Sequence, residues 1–132
     1  MEQYTTVRRS SNISRAPAHV PPSEVALQTA LEALADPVRR LIVRELAGSP
    51  DWTRACGAFG HLPVAKSTLS HHFAVLRNAG LLEQRDEGAR RLNRLRRDEF
   101  EARFPGLLPL VLAEADRTGP GGRPGGTAGA GA

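Results

Sequence analysis

Val64-Ala65-Lys66-Ser67-Thr68-Leu69-Ser70-His71-His72-Phe73-Ala74-Val75-Leu76-Arg77-Asn78-Ala79-Gly80 sets Leu69, Phe73 and Leu76 at i, i+4 and i+7. That spacing puts them on one face of a helix. The other face carries Lys66, Ser67, Ser70, His71 and Arg77, which hydrogen-bond or carry charge. Gly80 supplies the left-handed cap that stops the helix. Such a helix buries one side in a small core and offers the other to something polar. The major groove of B-DNA accepts a helix of this kind.

Moving upstream, Gly60-His61-Leu62-Pro63 reads as a tight turn, and about Thr53 to Phe59 as a short helix weakened by Gly57. A short helix, a tight turn and a second amphipathic helix make a helix-turn-helix. Asp36-Pro37 opens an earlier helix, with Asp36 as N-cap and Pro37 at the first helical position. Its apolar stripe is Val38, Leu41, Ile42 and Leu46, and Gly48-Ser49-Pro50-Asp51 closes it. The first helix opens at Ser23-Glu24 and carries Leu27, Leu31 and Leu34.

Downstream of Gly80 the period changes. Leu82–Arg85 and Arg91–Leu95 read as short strands around the loop Asp86-Glu87-Gly88-Ala89, with Gly88 able to take positive φ. Leu92 and Leu95 fall on opposite faces of the second strand, so the alternation is imperfect. A hairpin directly after a helix-turn-helix is a wing, with Arg85, Arg90 and Arg91 near its tip. Asp98–Phe104 begins another helix, broken by Pro105-Gly106. Leu107, Leu108, Leu110, Val111 and Leu112 follow, and a peripheral helix so widely apolar wants a partner. Pro109 fits only in the first turn of that helix. The fold class is therefore mainly α with a small β-hairpin, a winged helix-turn-helix expected to form dimers.

The chain of 132 residues has room for one domain. Residues 1–23, with three arginines and three prolines, show no helical or strand period and read as a disordered tail. Residues 117–132 are mostly Gly, Pro and small side chains, a composition that cannot offset chain entropy by burial. Residues 24–116 remain as the DNA-binding and dimerisation domain. The net charge of +4 is unevenly placed. Lys66 to Arg97 holds eight basic and three acidic residues, whereas Asp98 to Arg117 holds two basic and five acidic ones. The positive field thus sits on the candidate groove helix and the wing. A merely solvated basic face is the plainer alternative. A single cysteine, Cys56, excludes an internal disulfide framework. No apolar run approaches the ~18 residues of a membrane span, and no signal-peptide core opens the chain, so a soluble, cytoplasmic protein is expected.

The string Ser67-Thr68-Leu69-Ser70-His71-His72-Phe73, continuing through Leu76-Arg77-Asn78-Ala79-Gly80-Leu81, resembles the recognition helix of ArsR-type winged helix-turn-helix repressors. Leu34-Ala35-Asp36-Pro37-Val38-Arg39-Arg40 is similar to the family's second-helix opening. Gly88-Ala89-Arg90-Arg91 with Leu95-Arg96-Arg97 looks like its wing and the start of its final helix. The resemblance covers about residues 25–115. It implies a homodimeric DNA-binding repressor whose first and last helices form the dimer interface, in a family where many members release DNA on binding a metal or small molecule. Two positions depart from the pattern. Ala65 stands where a capping Ser or Thr is expected, and Asn93 where members often carry Tyr.

On this reading Lys66, Ser67, Ser70 and His71 enter the groove, with Lys66 able to donate to guanine O6 or N7. Thr68 is placed to bond a phosphate from the first turn. Arg77, far along the helix, is placed for a phosphate contact or an intramolecular salt bridge. Arg85, Arg90 and Arg91 follow the backbone or minor groove from the wing. His72, beside Phe73, is expected to pack within the protein, and Ser67 has the alternative of satisfying the helix N-terminus. Leu27, Leu31, Leu107, Leu108, Val111 and Leu112 are the dimerisation candidates, the alternative being that the last stretch caps the monomer's own core. No cofactor and no metal site is expected. Cys56 stands alone, and adjacent His71 and His72 project about 100° apart, a poor pair for one ion. Nor is catalysis expected, since the groove-helix serines and histidines share one open surface without an orienting acid. The rival reading is a winged helix for protein–protein contact or RNA. The basic bias disfavours the first and the scarcity of aromatics the second. The operator, the presence of an inducer and the choice between repression and activation stay open at this level.

Overall fold

The computed structural model of the chain describes residues 18–118. Asp36 separates α1 (Leu27–Leu34) from α2 (Pro37–Ala47). Its carboxylate accepts from the Val38 amide at 2.8 Å and the Arg39 amide at 3.2 Å, so it is the N-cap the Asp-Pro pair predicts. Burial pushes this carboxyl up, but the two amide hydrogen bonds outweigh it and hold it below the usual range. The arginines that follow turn back onto α1. Arg39 Nε donates to the Ala33 carbonyl at 2.7 Å, and Arg40 Nη1 to the Leu34 carbonyl at 2.8 Å. These bonds satisfy carbonyls that the end of α1 would leave without partners.

α1 begins at Leu27, later than Ser23-Glu24 predicts. Pro22–Glu24 form a 3-10 turn instead. Pro22 is buried, the Ala18 carbonyl accepts from Arg77 and His19 Nε2 accepts from the Gln84 amide, so residues 18–23, read from the sequence as part of a disordered tail, pack on the domain, while residues 1–17 of that tail lie outside the described residues. The face of α1 turned inward is Ala30, Ala33 and Leu34, whereas Leu27 and Leu31 stay exposed.

The expected helix over 53–59 does not form. Its place is taken by a two-residue strand, β1 (Arg54–Ala55), and a four-residue 3-10 turn, Cys56–Phe59. The reason is a longer-range competitor. β1 pairs antiparallel with the wing, Arg54 opposite Asn93 and Ala55 opposite Leu92, and the Trp52 amide donates to the Asn93 carbonyl at 3.0 Å. A seven-residue helix interrupted by glycine has little to set against those bonds.

α3 (Lys66–Asn78) matches the predicted helix, and Ala65 caps it with no side-chain bond. It ends as the sequence requires. Gly80 takes φ +74°, and the Leu81 amide reaches back to the Leu76 carbonyl at 3.0 Å. A Cβ at Gly80 would also stand 3.0 Å from Pro22 Cα, so glycine is needed there for conformation and for space. β2 (Leu82–Glu87) and β3 (Arg90–Leu95) form the wing, joined by a two-residue loop with Gly88 at φ +62°. With β1 the hairpin becomes a three-stranded antiparallel sheet of order β1-β3-β2. Both Leu92 and Leu95 are buried despite facing opposite ways. Leu95 opposite Leu82 enters the main core, while Leu92 is covered on the outer face.

α4 (Arg97–Arg103) and α5 (Leu107–Thr118) complete the described chain, with Pro109 in the first turn of α5. α5 packs against α2. The core gathers Ile42, Val43, Phe59, Phe73, Leu76, Leu81, Phe100 and Leu108. It holds α3 by its apolar stripe, with the Phe59 and Phe73 rings edge to face at 5.3 Å.

Candidate nucleic-acid interface

Burial of Leu69, Phe73 and Leu76 fixes the rotation of α3, and Lys66, Ser67, Thr68, Ser70 and His71 stand exposed along its outer face. A second lock comes from His72. It is buried, and Arg39 Nη1 donates to its Nδ1 at 3.0 Å. A guanidinium can only donate, so this imidazole is neutral with its hydrogen on Nε2. Arg39 thereby ties the end of α1, the start of α2 and the middle of α3 together. Burial lowers the His72 pKa; Asp36 pulls it up, while Arg39 and His71 push it further down.

This coupling has a pH consequence. In the unfolded chain the imidazole takes up a proton near pH ~6.5, and in the folded chain only at lower pH. In that window the unfolded state holds more protons, so stability is full at neutral pH and declines as pH falls below about 6.5. His19, which accepts from the Gln84 amide at 2.9 Å and is also lowered by burial, adds a slope of the same sign. A His72→Gln variant, whose amide oxygen can still accept from Arg39, is expected to show a shallower loss of thermal stability on acidification. Melting curves at several pH values check this, and an unchanged slope would discard the neutral-histidine lock.

The wing arginines divide between the two faces of the hairpin. Arg91 lies on the inner face, turned toward α3, and pairs with Asp86 at 2.8 Å. Arg85 and Arg90 lie on the outer face. The Arg85 guanidinium sits 4.3 Å from the Trp52 ring centroid and pairs with Glu87 at 2.9 Å. Trp52 is the one described non-glycine residue at positive φ (66°), a conformation uncommon for a bulky side chain. Its position beneath Arg85 was not legible from the local sequence.

Arg77 is drawn inward. Its Nε donates to the Ala18 carbonyl at 3.0 Å and its Nη1 to Gln84 Oε1 at 2.8 Å. Gln84 is held in turn, since its Nε2 donates to Asn93 Oδ1 at 2.9 Å and to Cys56 Sγ at 3.1 Å. Asn93 Nδ2 donates to the Arg54 carbonyl at 2.8 Å. A buried polar relay therefore runs from β1 through β3 and β2 to α3. Sequence reasoning noted Asn93 only as a departure from a family pattern and missed Gln84. Burial pushes the Cys56 thiol up, so it stays protonated and serves as a packed, weakly hydrogen-bonding group.

The dimerisation candidates also separate. Leu108 is 1 % exposed and belongs to the monomer's own core. Leu107, Val111 and Leu112 are partly buried against that core. Among the described residues the large apolar side chains left in solvent are Leu27 (51 %), Leu31 (45 %) and Leu110 (65 %), of which Leu110 is not one of the sequence candidates. Among the described residues no group of three or more His, Cys, Asp or Glu side chains could hold a metal ion. Nor is any helix among them long and apolar enough to cross a membrane.

A small helical core that presents one helix beside a three-stranded wing defines a winged helix-turn-helix protein. Residues 36–84, from the N-cap of α2 into β2, match the model of the family described as bacterial regulatory protein, arsR family. YceK of Bacillus subtilis (strain 168), described as an uncharacterized HTH-type transcriptional regulator, is 37% identical over 81 residues, covering 61% of this chain and 80% of that protein. The transcriptional repressor BigR from Xylella fastidiosa has a similar fold, with a TM-score of 0.53 at 20% identity over 87% of this chain and 95% of BigR. The chain belongs to the arsR family of bacterial regulatory proteins. It is a DNA-binding transcriptional regulator and not an enzyme.

Proposed function

We propose that the chain is a homodimeric repressor that reads an imperfect palindrome, one half-site per protomer about one helical turn apart. The observation that carries this reading is the polar face of α3. Lys66, Ser67, Thr68, Ser70 and His71 are exposed together while the opposite stripe is buried. Lys66, Ser67, Ser70 and His71 meet base edges, and Thr68 a phosphate. Arg85 and Arg90 at the wing track the sugar-phosphate backbone or minor groove. Arg91, on the inner face, meets the strand that passes between wing and helix. Arg77 supports that strand from behind, since its hydrogen bonds already hold it within the protein. The exposed Leu27 and Leu31 of α1 and Leu110 of α5 supply the dimer contact, in line with the first-and-last-helix interface that the resemblance implies.

Titration of variants against specific and random duplexes at several salt concentrations tests the assignment. Ser70→Ala or His71→Ala is expected to cost ~1–3 kcal/mol of specific binding for each lost base contact and to relax sequence choice. Arg91→Ala is expected to weaken all sequences alike and to flatten the salt dependence. Unchanged affinity in all three variants would refute the interface.

A further inference from the structure

Between α3 and the inner face of the wing lies a cleft of about 490 Å³. That volume is within the range that takes a drug-sized molecule. Leu69, Phe73 and Val64 form an apolar wall, and the backbone at Gly57 and Gly60 borders it. Lys66, Arg77 and Arg91 line the same space, and no carboxylate among the described residues does. We propose that this cleft binds a small organic anion with an apolar body, and that its occupant competes with DNA.

Arg77 is the charge that an anion in the cleft would meet. Its described partners are both neutral, the Ala18 carbonyl and Gln84 Oε1. Two of its five donor hydrogens are used there, which leaves others for an acceptor in the cleft. Burial and the nearby Arg91 both work against its charge. Arg91 is already matched by Asp86, so Arg77 is the guanidinium whose charge an incoming anion would offset. The Asn93–Gln84 relay holds it in place before anything binds, so little ordering cost falls on the ligand. A carboxylate, sulfonate or phosphate suits this fork, and the Leu69, Phe73 and Val64 wall selects for a hydrophobic remainder. Free inorganic phosphate or a DNA phosphate shares the anionic half of that chemistry but not the apolar half.

Competition follows from shared residues, and this part alone rests on the proposed interface. Lys66, Ser70 and Arg91 line the cleft and also belong to the candidate DNA surface. A molecule seated there occupies the space through which a backbone strand would pass.

Calorimetric titration with 2-naphthoate, 2-naphthylmethanol and inorganic phosphate separates the sources. The expected result is one site for 2-naphthoate, bound at least about tenfold more tightly than either control. Gly57 allows a second check, because a Cβ there meets nothing within 4 Å and its backbone is unstrained. Gly57→Leu is expected to melt like the parent and to lose naphthoate binding. Arg77→Gln is expected to reduce the preference for the acid over the alcohol by about tenfold. Equal binding of acid and alcohol, phosphate binding as tight as naphthoate, or naphthoate binding untouched by Gly57→Leu would each overturn the site. In the second arm naphthoate should release duplex from the parent chain but not from Gly57→Leu. Binding without release would overturn the competition and the placement of DNA on this face, while leaving the pocket standing.

Discussion

A Leu27→Glu, Leu31→Glu double variant is expected to fold as a monomer and to lose about 10²- to 10⁴-fold in affinity for a two-half-site duplex, while binding a single half-site as before. α1 is held by Ala30, Ala33 and Leu34, and the two substituted positions face solvent in the monomer, so the fold does not depend on them. In a two-fold dimer the same positions meet their own copies or neighbouring apolar groups, and carboxylates placed there must be desolvated near one another. With one protomer bound, the second no longer arrives at high effective concentration. Sedimentation at micromolar concentration reads the oligomeric state, and duplex titration reads the affinity. A double variant that stays dimeric would move the interface elsewhere. Leu110→Glu should act in the same direction if α5 shares the contact, whereas Leu108 should not be used for this purpose, since it belongs to the core.

Phe73→Ala is expected to destabilise the domain by about 3–5 kcal/mol, a large share of the ~5–15 kcal/mol typical of such domains. Phe73 is buried, meets Phe59 edge to face and lies midway along α3. Truncation removes the contact that orients the polar face, and it opens the adjacent cleft further. Partial collapse around the site would reduce the cost, so the lower end of the range applies if α3 tilts inward. Denaturant unfolding gives the stability change. Duplex binding at a temperature where the variant is still folded gives the orientational part. A loss under about 1 kcal/mol would mean that the stripe does not anchor the helix.

The sequence made α3 legible because three signals agreed there: a clean i, i+4, i+7 stripe, a polar opposite face and a glycine placed for the C-terminal cap. Asp36-Pro37 was as clear, since the cap is a local interaction between residues two and three apart. The region around Thr53–Phe59 failed for the opposite reason. Its conformation is decided by β3, some forty residues away, and a two-residue strand has no period to detect. The Gln84–Asn93–Cys56 relay is hidden in the same manner, because only the register of the sheet brings those side chains together. Leu108 and Leu110 could not be told apart in a run that is apolar on nearly every side, since the choice of buried face depends on how α5 meets α2. Arg77 reads from the sequence as meeting a phosphate or an acidic side chain of its own chain, whereas its partners are the neutral Ala18 carbonyl and Gln84 Oε1, brought to it from 59 and 7 residues away by the tertiary fold.

Amide chemical-shift mapping of the isotope-labelled protein, titrated with a duplex selected for tight binding, tests the central claim most directly. The perturbed amides are expected to cluster at Lys66–His71 and along the wing from Arg85 to Arg91, with α1 and α5 undisturbed apart from effects of dimerisation. Shifts confined to α1 and α5, with Lys66–His71 unmoved at saturation, would contradict it.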